Sequence, residues 1–191
     1  RNRRFNTVKN VRQVCDIDYY LSSALASLTP NMILAALALA ATAGLIYICA
    51  CHRCRPALAQ CGAVVILVFY LVLVFASTVF GREPGKAYRY ELTLFWSYRE
   101  IMAGRTKLIA ENFWNVMMLL PVGALLPTAC AKMKLSSVTA AAFAVSLTIE
   151  LTQLITKRGL FEFDDMFHNT LGAIIGYGVY QLIRTLHNIT D

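Results

Sequence analysis

Charged residues are scarce in this chain. They make up 15% of its 191 residues, whereas hydrophobic residues make up 58%, and the mean hydropathy is +0.55. A soluble domain carries roughly a quarter charged residues, so this shortfall argues against a water-soluble protein. Tandem repeats, low-complexity tracts and domain linkers are also missing from the sequence. Residues 1–12 are polar and basic with no apolar run behind them, so we expect no signal peptide there.

Recognisable motifs for metal or nucleic-acid binding are missing as well. The chain has three histidines but no HExxH motif, and its six cysteines do not form two CxxC pairs. Four cysteines lie around one short turn near His52, where small apolar residues at helix ends are the simpler interpretation: Cys49, Cys51, Cys54 and Cys61. The net charge of +7 would suit nucleic acid, but the basic residues lie beside apolar runs, as membrane-anchoring residues do. We therefore predict no metal, no cofactor and no nucleic-acid partner.

Long apolar runs dominate the sequence instead. A helix needs roughly 20 apolar residues to cross a bilayer, and five runs approach that length: 32–51, 58–80, 113–131, 135–155 and 166–186. The sequence therefore predicts an all-α integral membrane protein, with about five transmembrane helices in one bundle. We divide it into a polar and amphipathic N-terminal segment, residues 1–30, which would lie on the membrane surface, and a transmembrane domain, residues 31–191. The loop of residues 81–111 interleaves charged and aromatic side chains, which is typical of a segment at the level of the lipid headgroups.

Polar residues follow one face of each of the last two predicted spans. On the fourth span, Ser146, Glu150 and Gln153 are spaced i, i+4 and i+7, which places them on one side of a helix. A similar stripe on the fifth span contains Asp165, Asn169, Gly172, Gly176 and Tyr180. Ionisable groups are costly in hydrocarbon and are rare there unless they pair, face a cavity or have a function. We therefore expect the two stripes to face each other, with the glycines allowing close helix packing.

Each acidic residue of this group has more than one interpretation. Asp164 and Asp165 lie where the fifth helix begins, and carboxylates are favoured there because they interact with free N–H groups and the helix dipole. Glu150 lies several residues inside a span. It is therefore either protonated, paired with Arg158 or another cation, or hydrated.

Several motifs in this region occur in the same order as in a known family. Asn115-Val-Met-Met-Leu-Leu-Pro-Val-Gly123 is similar to an N-x-x-x-F-x-P-x-G signature, with Leu119 in place of the phenylalanine. The motifs that follow are Ser146-x-x-x-Glu150-x-x-Gln153 and Arg158…Asp164-Asp165-x-x-x-Asn169-x-x-Gly172, with Glu162 where an aspartate is usual. With these motifs, residues 65–185 resemble the VanZ-like membrane protein family.

The resemblance implies a multi-pass protein of the bacterial cytoplasmic membrane. The family's namesake is associated with resistance to the glycopeptide antibiotic teicoplanin, which places the function in the cell envelope. The family orientation puts the 81–111 loop and the 157–165 turn on the extracytoplasmic face. A simple count of Lys and Arg favours the reverse orientation, because the long loop and the N-terminus hold most of the basic residues.

Our leading hypothesis is a polar pocket between the third, fourth and fifth spans. It would bind an envelope lipid, a lipid-linked precursor or a glycopeptide through predicted ligand-binding residues Arg82, Asn115, Gln153, Arg158, Asp164 and Asn169. In this hypothesis Arg82 and Arg158 meet phosphate or carboxylate. A rival hypothesis is an intramembrane enzyme that acts on the same ligands, with Glu150 or Asp165 as the catalytic general base. A third is a non-catalytic assembly partner in which the polar stripes only lock helices together.

Overall fold

The computed structural model describes residues 22, 25–51, 57–131 and 133–190. In chain order, its elements are α1 (Pro30–Ala50), α2 (Leu58–Phe75) with a π-helical extension (Ala76–Phe80), β1 (Tyr90–Glu91), α3 (Trp96–Met102), α4 (Lys107–Ala129), α5 (Leu135–Thr156), β2 (Phe161–Glu162) and α6 (Phe163–Thr190). The prediction of an all-α protein is confirmed, since the strands are two residues each.

Within the described part of the chain, four helices are long and apolar enough to cross a membrane: α1, α2 with its extension, α4 and α5. This finding makes the chain a multi-pass membrane protein. The fifth long helix, α6, has 28 residues. Its first turns carry Asp164, Asp165, His168 and Asn169, which lower its hydropathy relative to the other four. It nevertheless packs against both α4 and α5 and so belongs to the same bundle.

The predicted helix boundaries differ from the observed ones mainly at polar ends. Helix α4 begins at Lys107, six residues before the apolar run predicted at 113, because its first turns are polar and precede the apolar part of the helix. Helix α6 runs over Phe163–Thr190 instead of 166–186 for the same reason. The region predicted as one loop, 81–111, contains β1, α3 and the start of α4.

Helices α4 and α6 form the closest contact in the bundle. A Cβ added to Gly172 would overlap the carbonyl oxygen of Val116, and one added to Gly176 would overlap that of Leu120. Only glycine allows the two backbones to approach this closely. The expected small-residue contact is therefore confirmed, but the partner of the glycines is α4, the third span. Leu119 on α4 is fully buried in the core beside them.

Helix α1 lies at the edge of the bundle. Its small residues Ala36, Ala40 and Gly44 are buried, and it packs on α2. The Tyr47 hydroxyl also donates a hydrogen bond of 2.9 Å to the carbonyl of Ala129 at the end of α4. Most of the predicted N-terminal interfacial segment, residues 1–21, 23 and 24, lies outside the described residues. So does the turn at 52–56, which contains two members of the cysteine and histidine group.

Candidate functional site

Two segments that are far apart in sequence meet at one end of the bundle. Strands β1 and β2 pair in parallel, and the Phe161 N–H donates to the Arg89 carbonyl at 3.0 Å. The Gly85 N–H donates to the Lys157 carbonyl at 2.7 Å. These backbone bonds hold the 82–91 loop against the 157–162 turn, beside the first turns of α4 and α6.

A cavity of about 620 Å³ lies between these segments. Its charged lining combines four cations and four acidic side chains: Arg82, Arg89, Lys157 and Arg158 with Glu83, Glu111, Glu162 and Asp165. The uncharged lining is Gly85, Leu108, Asn112, Trp114, Asn115, Gly159 and Leu160. The cavity therefore presents both signs of charge at the end of helices that can cross a membrane.

Among the residues that the structure describes, none of the cavity cations forms a short ion pair with a carboxylate. Among the described residues, the direct ion pair joins Arg105 to Glu100, away from the cavity lining. Lys157 places its ammonium 4.7 Å from the centre of the Tyr88 ring, a cation–π contact that leaves its charge in place. An anion that binds these cations would therefore not have to displace a carboxylate of the described residues.

The structure divides the eight predicted site residues into two groups. Arg82, Asn115, Arg158 and Asp165 line the cavity. The other four lie outside its lining and are buried among the helices: Glu150, Gln153, Asp164 and Asn169. The first group can contact a ligand directly, and the second makes the protein contacts described below.

Asp165 and Asn115 connect the two central helices at the cavity wall. The Asn115 amide donates a hydrogen bond of 2.6 Å to the Asp165 carboxylate. Glu162 lies beside them on β2, outside the membrane-spanning helices. Burial, together with the neighbouring Asp165 carboxylate, raises the pKa of Glu162 to about 9. Glu162 therefore holds its proton more tightly than an exposed glutamate does, and its side chain is hydrogen-bonded to that of Asp165.

Glu150 supports the turn from behind the cavity. Its side chain is 1% exposed, and its Oε2 accepts a hydrogen bond of 3.0 Å from the backbone N–H of Glu162. The suggested pairing of Glu150 with Arg158 is wrong. The guanidinium of Arg158 instead donates to the carbonyls of Phe80 and Arg82, at 2.9 and 2.8 Å. Its Nη1 is committed to backbone at the end of α2, where carbonyl groups lack partners within the helix.

Gln153 and Asn169 join neighbouring helices. The Gln153 amide donates to the Thr78 carbonyl in the π-helical extension at 3.3 Å. The Asn169 amide donates to the Ser146 hydroxyl at 2.8 Å, which links α6 to α5. The expectation that the two polar stripes face each other is therefore confirmed at Ser146 and Asn169, whereas Gly172 and Gly176 face α4.

Asp164 caps a different helix from the one that contains it. Its carboxylate accepts hydrogen bonds from the Phe95 N–H, from the Ser97 N–H at 2.9 Å and from the Ser97 hydroxyl at 2.6 Å. These donors belong to the start of α3, where Phe95 adopts a left-handed conformation with φ 61°. Asp164 thus supplies the acceptor that the first turn of α3 requires.

Several side chains of the cavity are not among the predicted site residues: Arg89, Glu111, Asn112, Trp114, Lys157 and Glu162. Four of these lie in or next to the charged and aromatic loop, and two lie in the 157–162 turn. The charged residues of the loop and of the turn could have pointed to these side chains, but nothing in the sequence indicates that the two segments pair. Within the described ranges, no group of His, Cys, Asp and Glu side chains is arranged to hold a metal ion.

A comparison with protein families identifies the chain. The VanZ/LLP1 family model matches residues 61–184, which include the cavity, α3 to α5 and most of α2 and α6, but not α1. No curated protein and no solved structure is significantly similar to the chain. The match covers more than half of the chain and agrees with the motifs around Asn115, Glu150 and Asp165. The chain is therefore a membrane protein of the VanZ/LLP1 family.

Proposed function

We propose that the cavity binds the polar headgroup of an envelope lipid or a lipid-linked envelope precursor in the bacterial cytoplasmic membrane. The observation that supports this proposal is the charged lining of the cavity at the end of helices that can span a membrane. The headgroup of a lipid lies at the same level of the membrane as the ends of such helices. A glycopeptide offers the same hydroxyl, amide and carboxylate groups, and it is therefore an alternative ligand in the binding tests.

The lining suits a ligand that carries both an anion and neutral hydrogen-bonding groups. Arg82, Arg89 and Lys157 can approach phosphate or carboxylate, for which charge-assisted hydrogen bonds are strong. The neighbouring carboxyl groups of Asp165 and Glu162 offer oxygen acceptors for sugar hydroxyl or peptide N–H groups. The family's association with glycopeptide resistance agrees with a ligand from the cell envelope. We also adopt the family orientation, with the cavity on the extracytoplasmic face.

Equilibrium binding to variants of this chain tests the proposal. The chain would be placed in lipid nanodiscs and titrated with a fluorescent lipid-linked precursor, with a labelled glycopeptide in a parallel titration. Loss of one charge-assisted hydrogen bond should weaken binding by about tenfold or more in Arg82→Gln and Arg89→Gln. The matched control is Arg184→Gln, an exposed arginine in the last turns of α6 and outside the cavity lining. Equal affinities in all three variants would rule out the cavity as the site.

Catalysis on the same ligand is a second candidate function. It is favoured by the two neighbouring carboxyl groups, Asp165 and Glu162, which line the cavity together. Asp165 would act as the general base, a role also suggested for Glu150 from the sequence. Asp165→Asn separates the candidates. Retained binding with loss of glycopeptide resistance would indicate chemistry, whereas loss of both would indicate a binding site.

A non-catalytic role in membrane assembly is the third candidate. It is favoured by the hydrogen bonds of Glu150, Gln153 and Asn169, each of which joins two segments of this chain. If this role is the only one, Glu150→Gln and Asp165→Asn should change the amount of folded protein in the membrane without changing binding per folded molecule. Membrane levels measured beside binding and resistance therefore distinguish all three functions.

A further inference from the structure

Large apolar side chains are unusually exposed between β1 and α4. Seven of them in residues 88–102 are between 42% and 80% exposed: Tyr88, Tyr90, Leu92, Leu94, Phe95, Tyr98 and Met102. We call residues 88–102 the aromatic segment. It lies outside the four helices that are apolar enough to span a membrane. Soluble surfaces rarely expose so many neighbouring apolar groups, so this surface requires an apolar or amphipathic partner.

The aromatic segment is fixed in place by polar contacts on its inner side. The Asp164 carboxylate holds the Phe95 and Ser97 backbone, and the Tyr98 hydroxyl lies 2.8 Å from His168 Nε2 on α6. The start of the segment is held by the pairing of β1 with β2. The outward side chains therefore cannot turn inward unless the hydrogen bonds of Asp164 to the start of α3 are broken. Their exposure is part of the folded structure.

The apolar surface of the segment continues onto the helices of the bundle. The Phe95 ring packs edge-on against Phe167 of α6, with ring centres 5.2 Å apart. Leu94 lines an apolar groove of about 410 Å³ together with Phe143 of α5 and Ile174 of α6. Phe143 and Ile174 lie well inside their helices and are themselves exposed. The medium that covers these two helices therefore extends to the segment as well.

We infer that the aromatic segment is inserted into the membrane interface, with the lipid bilayer as its partner. The aliphatic and aromatic side chains would enter the acyl-chain boundary, where aromatic rings are favoured. Arg99 and Lys107 provide cations beside them for the lipid phosphates. The segment would then set the depth of the cavity, because Arg89 belongs to both. This inference does not depend on the proposed ligand.

Accessibility of single spin labels in lipid nanodiscs tests the inference. The full chain, with its six cysteines replaced, would carry one label at Leu94 or Met102, and at Lys86 as the control. Lys86 is exposed on the neighbouring loop but lies outside the apolar surface. Oxygen concentrates in lipid, whereas a polar nickel chelate remains in water. We expect the ratio of oxygen to chelate accessibility to be several-fold higher at Leu94 and Met102 than at Lys86.

Two results would overturn the inference. Equal ratios at the three positions, with high chelate accessibility, would show that the segment lies in water. Low accessibility to both reagents at Leu94 and Met102 would show that a protein surface covers it, for example a second copy of the chain. Retained helical circular dichroism and a monodisperse elution profile for each labelled protein ensure that the ratios refer to the folded molecule.

Discussion

At the scale of single residues, the polar groups around the cavity differ in what they can still contact. Asp164 has its carboxylate occupied by three hydrogen bonds from α3, while Asp165, on the next position, lines the cavity. The sequence predicted both as site residues and also allowed both as helix caps. It did not indicate that Asp164 caps a helix almost 70 residues earlier in the chain, because that contact depends on the tertiary fold.

Replacement of Asp164 by Asn should destabilise the protein. The substitution removes the negative charge and turns one acceptor into a donor that faces the N–H groups of α3. Hydrogen bonds to a charged group contribute about 1.5–3 kcal/mol, so we expect a loss of that order in the free energy of unfolding. Denaturation in detergent, followed by circular dichroism, measures it. Glu83→Gln, at an exposed carboxylate, is the control, and equal stability of the two variants would refute the capping role.

Glu162 should make the stability of the protein depend on pH. Its pKa is about 9 in the folded chain against an ordinary value of 4.5, so the folded state binds the proton more tightly. The stabilisation is complete below the ordinary value and is lost as pH rises toward 9. Glu162→Gln cannot lose this proton. The melting temperature of the wild type should therefore fall relative to that of the variant between about pH 5 and about pH 9.

Melting curves of the two proteins over this pH range provide the measurement. Glu83→Gln serves again as the control and should follow the wild type. Parallel curves for wild type and Glu162→Gln across the whole range would show that burial does not keep the Glu162 proton in place.

At the scale of helices and strands, the lengths of the apolar runs predicted the long helices, whereas the spacing of polar residues did not predict which helices are neighbours. The five apolar runs correspond to α1, α2, α4, α5 and α6, and all of these except α6 are long and apolar enough to cross a membrane. Polar spacing identified the face of α6 that is buried but did not identify its neighbour. Gly172 and Gly176 contact α4, and Asn169 contacts α5, because the helix lies between the two.

The glycines of α6 provide a direct test of the contact with α4. Gly172→Ala should destabilise the protein by about 1–3 kcal/mol, since the added methyl group would push against the Val116 backbone. Gly178→Ala on the same helix is the matched control, because a Cβ there meets nothing within 4 Å. Its stability should be unchanged or slightly higher. Similar losses in both variants, measured by thermal denaturation in detergent, would contradict the close packing of α4 and α6.

At the scale of the whole molecule, the cavity is assembled from parts that no single stretch of sequence reveals. Asn115 and Asp165, which the sequence motifs singled out, line one wall of the cavity, and the hydrogen bond between their helices follows from the fold. The opposite wall required the 82–91 loop to pair with the 157–162 turn. That pairing uses backbone hydrogen bonds, such as the one from the Gly85 N–H to the Lys157 carbonyl. Backbone bonds of this kind depend little on which side chains are present, so the sequence does not reveal them. Arg89 and Lys157 were missed for this reason.

Binding of a lipid headgroup in the cavity fixes the position that a bound headgroup occupies. Photo-crosslinking in nanodiscs tests it most directly, using a lipid-linked precursor with a photoreactive group in its headgroup and mass spectrometry to map the attached peptides. We predict attachment within residues 82–89, 108–115 and 157–165, and loss of that attachment when unlabelled precursor competes. Attachment confined to the opposite end of the helices, near residues 129–135, or attachment unaffected by the competitor, would contradict headgroup binding in the cavity.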